Sequence, residues 1–181
     1  MKLDKGLIII DVETSGSDTR TASIIQLGAV RLTKRGELKE PTFCLNVIPY
    51  TLTWEEEAQK IHKLTPADLV KTGFQIKYVL ECFEEWIGNP KKYYIAQWSC
   101  GFDRDMLLGA YERVGKKYPF SYRAYDIASI VRFNLAVKHM LPSSCGEGNC
   151  AMALGIEVKE KELHNALYDA QLAGMMLQKV I

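Results

Sequence analysis

Four carboxylates fall where a folded chain ordinarily places apolar side chains. Asp11 and Glu13 close the run Leu7-Ile8-Ile9-Ile10-Asp11-Val12-Glu13. So apolar a run reads as a central strand buried on both faces. Residues two apart on a strand point to the same face, so these two like charges repel and are poorly solvated. Asp103 heads a second pattern, with Met106, Leu107, Ala110, Tyr111 and Val114 at i+3, i+4, i+7, i+8 and i+11. That is the buried stripe of an amphipathic helix, and Arg104, Asp105, Glu112 and Arg113 fall outside it. Asp169 heads a third, with Leu172, Ala173, Met176, Leu177 and Val180. Singly, each acid has an ordinary explanation: a strand end for Asp11, a helix N-cap for Asp103, a buried Lys or Arg partner for Asp169. Together, with no basic residue on the same stripes, they require a counter-charge. A hard divalent cation, Mg²⁺ or Mn²⁺, prefers carboxylate oxygens. Zinc fits less well, because no Cys or His cluster accompanies the acids.

His164 stands five residues before Asp169. On an ideal helix that is about 140° away, so both reach one site only if His164 precedes the helix. The polar stretch Lys159-Glu160-Lys161-Glu162 supplies such a loop. A neutral imidazole beside a metal-bound water is a natural general base; the alternative is a surface or hydrogen-bonded histidine.

The elements that must position these residues follow from pattern. Strands are expected at 6–12, 23–33 and 42–48, with Gly28 a candidate bulge. The short polar turn Lys34-Arg35-Gly36-Glu37 makes the first strands an antiparallel meander. Helices are expected near 54–62, 66–71 and 75–87, then a strand at 93–97 and a helix over 103–114. An extended stretch Arg123-Ala124-Tyr125 precedes a helix near 127–138, with Asp126 as its cap. A short helix over 148–154 and a last one from 166 complete the order. The segment Pro142-Ser143-Ser144-Cys145-Gly146-Glu147-Gly148 reads as the clearest loop. This is a mixed sheet with helices packed on it, an α/β or α+β arrangement in a single domain over 1–181.

Composition excludes several classes. The 181 residues are 48% hydrophobic and 25% charged, which rules out a disordered, collagenous or low-complexity chain. Lys+Arg 23 against Asp+Glu 22 gives +1, so nucleic-acid binding by bulk charge is not expected. The apolar run Gly6–Ile10 falls far short of the roughly 20 residues of a membrane span. It ends in Asp11 with no small-residue cleavage site after it, so no signal peptide is expected either. Cys44, Cys82, Cys100, Cys145 and Cys150 form no Cys-x-x-Cys and read as reduced thiols of a cytoplasmic protein.

Asp11-Val12-Glu13-Thr14-Ser15-Gly16 resembles the first motif of the DEDD (DnaQ-like) 3′–5′ exonuclease superfamily, usually Asp-x-Glu-Thr-Thr-Gly. Trp98-Ser99-Cys100-Gly101-Phe102-Asp103 resembles the second, and His164-Asn165-Ala166-Leu167-Tyr168-Asp169 the third in its histidine-bearing (DEDDh) form. Ile61-His62-Lys63-Leu64-Thr65 is similar to the His-Gly-Ile-Thr segment often found between the first two. The motifs in order cover nearly the whole chain. Three departures stand out. Ser15 replaces the second Thr, Gln97-Trp98-Ser99 replaces the usual His-Asn-Ala lead, and Lys63 stands where Gly is common.

The resemblance implies an RNase H-like mixed sheet, antiparallel in its first strands and then parallel, flanked by helices. It implies two ions, Mg²⁺ or Mn²⁺, about 3.5–4 Å apart. Asp11 would bridge both, Glu13 and Asp169 would complete the site of the attacking water, and Asp103 would serve the second ion. His164 would take the proton from that water, and the product would be a nucleoside 5′-monophosphate. Thr14 matches a position that contacts the 3′-terminal nucleotide. Ile61, His62 and Phe102 are candidates to wall the terminal base pocket, core packing being the alternative for Phe102. The partner implied is a single-stranded 3′ end, DNA or RNA. No membrane is involved, and a homodimer is open. Tyr93, Tyr94 and Trp98 can stack on bases or pack in the core. Lys91-Lys92 and Lys116-Lys117 are phosphate contacts or solvated turns. Two other functions fit the same fold: a non-catalytic nucleic-acid or protein-binding module, and a phosphodiesterase restricted to short oligonucleotides. The length favours a free-standing enzyme over a proofreading subunit.

Overall fold

The computed structural model describes residues 3–99 and 101–181. The cysteine expected as a thiol at Cys100 lies outside the described residues. The strands are β1 (Gly6–Thr14), β2 (Ile24–Leu32), β3 (Leu38–Asn46), β4 (Tyr93–Gln97) and β5 (Ala124–Asp126). The helices are α1 (Glu56–His62), α2 (Pro66–Thr72), α3 (Ile76–Ile87), α4 (Phe102–Arg113), α5 (Ile127–Val137), α6 (Glu147–Ala153) and α7 (Ala166–Val180). The sheet order is β3-β2-β1-β4-β5. Its first three strands form the expected antiparallel meander, and β1–β4 and β4–β5 pair in parallel. The sheet is therefore mixed, its pairing changing from antiparallel to parallel at β1.

Successive side chains of β1 enter opposite cores, as the pleat requires. Ile8, Ile10 and Val12 pack with α3 and α4 residues such as Leu80, Phe83, Met106 and Leu107. Leu7 and Ile9 pack with α5 and α7 residues such as Val131, Leu135, Leu172 and Met176. By the same alternation Asp11 and Glu13 turn to the face that α7 covers.

Three local expectations are corrected. Gly28 is not a bulge. It pairs in register with Asp11 on one side and Cys44 on the other. Its missing side chain serves α7, because a Cβ there would lie 2.2 Å from the Ala166 carbonyl carbon and 2.3 Å from Leu167 N. The irregular pairings fall elsewhere, between Glu13 and Thr14 and between Ala29 and Arg31. Strand β3 begins at Leu38, ahead of the expected start, and carries Pro41 within it. As the last strand in the sheet, it tolerates a residue without an N–H. The loop expected over 142–148 ends earlier: Glu147 is the first residue of α6, with Gly146 at its N-cap.

Other expectations stand. Asp126 caps α5, accepting a hydrogen bond from Ser129 N. Cys44, Cys82, Cys145 and Cys150 are free thiols. Among the described residues no helix is long and apolar enough to cross a membrane.

The contact between Gly28 and the start of α7 leaves no room for a methyl group. Gly28→Ala should destabilise the protein by about 3 kcal/mol, the upper end for overpacking a core, because the obstructing atoms are backbone. Urea unfolding checks this; unchanged stability would mean that α7 is not seated on β2.

Candidate active site

The acids meet at the carboxyl end of β1, where neighbouring strands run in opposite directions. In open α/β sheets this is where crevices form. Asp11 and Glu13 lie on β1 itself. Glu13 is 9% exposed, Asp103 and Asp169 6% each. Asp103 sits in the first turn of α4 but is not its cap. That place belongs to Gly101, at φ 97°. The buried Gln97 at the end of β4 accepts from Arg104 N at 2.7 Å and so fixes the helix start. Asp103 Oδ1 then accepts from Val12 N at 3.2 Å, tying α4 to β1.

Asp169 is placed by β2. Gln26, opposite Glu13 in the register, accepts from Ala166 N at 2.9 Å. Asn165 caps α7, accepting from Tyr168 N. His164 precedes the helix with a left-handed backbone at φ 64°. Its N–H donates to Asp169 Oδ2 at 2.9 Å, while Asp169 Oδ1 is buried with no partner. One ligand atom from each of Glu13, His164 and Asp169 can lie within 4.8 Å of the others. That donor set, two carboxylates and an imidazole, suits a divalent cation.

A residue that sequence reasoning missed completes the cleft. Glu147, at the start of α6, lines the same crevice of about 660 Å³ as Asp11, Glu13, His164 and Asp169. Its Oε1 is buried and unpartnered. The sequence signal was slight: an acid opening a short helix is ordinarily a solvated charge at a helix N-terminus.

The electrostatics follow from crowding and burial. Burial first, then Asp169 and Asp103, pushes Glu13 up to about 8. Burial, with the same two acids behind it, pushes Glu147 up to about 9. Burial pushes Asp103 up to about 7, against the Val12 amide, which lowers it. Asp169 rises to about 6 through burial, offset by the His164 amide. Asp11 rises well above its ordinary value through burial and repulsion from Asp103, Glu13, Asp169 and Glu147. His164 moves the other way. Desolvation of its ring and then the Lys63 ammonium hold it below the ordinary imidazole value, so at neutral pH it is an acceptor of protons.

The expected substrate residues come together in an adjoining cleft of about 550 Å³. Thr14, Ile61, His62 and Phe102 all line it, and it shares Val12 and Glu13 with the first. Ile61 is half exposed there. Phe102 lines the cleft and also packs on the core. His62 Nδ1 accepts from Leu64 N at 3.0 Å, which leaves the ring proton on the buried, unpartnered Nε2. Thr14 Oγ1 donates to Gly16 O at 2.7 Å.

The departures have local causes. Ser15 is buried and its hydroxyl accepts from Ser23 N at 2.8 Å. Lys63 adopts φ 61° at the end of α1, a conformation glycine takes without strain. Tyr94 and Trp98 are core residues, though Trp98 also lines the acidic cleft. Lys116 pairs with Glu84 at 2.9 Å, and Lys91 and Lys92 are exposed on a turn.

The sequence matches the family described as Exonuclease (RNase_T) over residues 8–176. The chain belongs to this family, within the DnaQ-like DEDD 3′–5′ exonucleases. Ribonuclease T of Shewanella frigidimarina is 28% identical over 177 residues, covering 91% of this chain and 76% of that protein. The PolC-type DNA polymerase III of Oceanobacillus iheyensis is 24% identical over 185 residues, and there the chain spans 11% of the relative. The zinc-bound form of the Escherichia coli exonuclease I complex with single-stranded DNA superposes with TM-score 0.84 at 19% identity. The same enzyme with a dT13 oligonucleotide gives 0.83 at 18%. Each superposition covers 97% of this chain and 40% of the exonuclease I chain. The fold is thus the RNase H-like mixed sheet flanked by helices.

The crowded acids set a pH dependence. Without metal, each holds its proton more tightly folded than unfolded, so the folded state binds more protons. Stability should therefore fall as pH rises from about 4, the ordinary carboxylate range, to about 9, the value to which Glu147 is pushed. Millimolar Mg²⁺ or Mn²⁺ should raise the melting temperature, and more so at pH 8 than at pH 5. Melting curves across this range check it; no metal shift at pH 8 would argue against a formed cation site.

Proposed function

We propose that this chain is a single 3′–5′ exonuclease domain over 1–181 that removes nucleotides from single-stranded DNA or RNA with two Mg²⁺ or Mn²⁺ ions. The observation that carries this reading is the convergence of Glu13, His164 and Asp169 on one point. Asp11 and Asp103 lie beside it, and Asp169 Oδ1 is left without a protein partner. The buried, mutually repelling acids and the orphaned oxygen fit a divalent cation, and among the described residues no Lys or Arg lines their crevice. In this reading Asp11, Glu13, Asp103 and Asp169 hold the ions. Bound there, the ions supply Lewis-acid activation of water and neutralise charge on the phosphodiester.

The chain's own residues do the rest. His164, neutral at pH 7, takes the proton of the attacking water on its free imidazole nitrogen. Asp169 orients it by accepting from its backbone N–H. Thr14, Ile61, His62 and Phe102 hold the terminal nucleotide in the adjoining cleft, with His62 Nε2–H as a donor to it. Because that cleft opens directly onto Glu13, a nucleotide seated there presents its 5′-side phosphodiester to the acids. The product is a nucleoside 5′-monophosphate. The free thiols fit a reducing compartment, and the cytoplasm is part of the proposal.

Matched 5′-labelled single-stranded DNA and RNA, incubated with Mg²⁺ and then Mn²⁺, test the reading. A ladder shortening from the 3′ end is expected, with the faster strand giving the sugar preference. Asp11→Asn should abolish it while the fold is retained. Tight binding without cleavage by the wild type would instead point to a non-catalytic binding module. His164→Ala should lower turnover by about 10²–10⁴-fold, the usual worth of a general base. An unchanged rate would remove His164 from that role.

A further inference from the structure

One wall of the nucleotide cleft is lightly packed. Helix α1 carries Ile61 and His62 into that cleft, yet it is seven residues long and His62 is its only buried side chain. An element with so little buried apolar surface opens locally at low cost, so polar contacts must hold it in place. Glu55 supplies them. Glu is not a favoured N-cap residue, and at the N-cap of α1 its side chain makes no capping hydrogen bond. It reaches instead to the turn that follows β1.

That turn is fastened on both sides. Towards β2, Ser15 N donates to Ser23 O at 2.9 Å and Ser23 N donates to Ser15 Oγ at 2.8 Å. Towards α1, Glu55 N donates to Ser15 O at 2.8 Å. The Glu55 carboxylate accepts from Ser17 N at 3.1 Å through Oε1 and from Ser17 Oγ at 3.1 Å through Oε2. Gly16 makes room for it, since a Cβ there would lie 2.5 Å from Glu55 Oε1. The Gly16 carbonyl in turn accepts from Thr14 Oγ1 at 2.7 Å and so orients that hydroxyl. Glu55 therefore joins the wall that holds Thr14 to the wall that holds Ile61 and His62, and it lines the cleft between them. Asp11, Glu13, Asp103, His164 and Asp169 lie on β1, on α4 and at the start of α7, outside this clamp.

We propose that Glu55 is a positioning residue of the nucleotide cleft. By clamping the Ser15–Ser17 turn to α1, it fixes the separation of the two walls that grip the terminal nucleotide. The inference rests on the nucleotide-binding role proposed above for this cleft and deepens it. Glu55 acts on binding and leaves the chemical step to the acids and His164.

Steady-state hydrolysis of a single-stranded oligonucleotide by the full chain, with calorimetric binding of thymidine 5′-monophosphate in Mn²⁺, tests it. Glu55→Ala should raise KM and weaken monophosphate binding by about 10-fold, the loss of one hydrogen bond to a charged group. Its kcat should be unchanged and its melting temperature little moved. Glu55→Gln, which keeps an acceptor oxygen for Ser17 N, should restore most of the affinity. Gly16→Ala should mimic Glu55→Ala by pushing the carboxylate aside, and combined with it should add nothing further, because both break the same contact. Wild-type KM and monophosphate affinity in Glu55→Ala, or a loss confined to kcat, would overturn the assignment and leave the proposed function intact. If the wild type cleaves neither DNA nor RNA, the proposed function fails, and the monophosphate affinities still decide the role of Glu55. A wild type that neither cleaves nor binds the monophosphate would overturn both.

Discussion

Repulsion among carboxylates that water reaches poorly is the constraint around which this molecule is arranged. Strand β1 is covered on both faces, so Asp11 and Glu13 at its end have little solvent to share. Asp103, Asp169 and Glu147 then bring three more acids to the same place. Every one of the five is pushed toward the neutral form, and in each case burial is the largest cause. The fold therefore holds these acids together against their own electrostatics. A divalent cation bound among them would relieve the repulsion and stabilise the fold at once.

The scaffold answers this strain with helix ends and backbone amides. Asp103, Glu147 and Asp169 all lie in the first turns of helices, where the macrodipole favours negative charge. Val12 N and His164 N each donate to one carboxylate oxygen. The partner oxygens are left for other work. Strand β2 acts as the platform for α7: Gly28 gives space beside Asp11, and Gln26 beside Glu13 receives the first amide of the helix. A helix seated by backbone contact and one buried amide cannot slide, so the Asp169 carboxylate stays in reach of Glu13.

The second cleft is built from the same pieces. Glu13 and Val12 line both clefts, so the acidic crevice and the adjoining cleft share one wall. The Ser15–Ser17 turn beside it is pinned by Ser23 and by Glu55, which accepts from Ser17 N at 3.1 Å. The substitutions relative to the usual motifs fall in this supporting frame. Ser15 keeps its hydroxyl in use, and Lys63 keeps a left-handed turn while placing its ammonium near His164.

The sequence alone determined the meander, the helix stripes and which acids head them, because periodicity reports burial and a charge on a buried stripe is conspicuous. His164 was legible for the same reason, its spacing from Asp169 being wrong for one helix and right for a loop. Gly28 was read as a bulge because a glycine in a strand has several causes, and only α7 packed across it reveals which. Glu147 sits in a loop pattern: its neighbours Gly146 and Gly148 mark a turn, and no apolar period leads up to it. Its meeting with Asp11 and Asp169 was decided by tertiary structure, through the packing of α6 against α5 and α7. Local sequence carries the period of an element but not the partner across a cleft, since that pairing depends on contacts far apart in the chain.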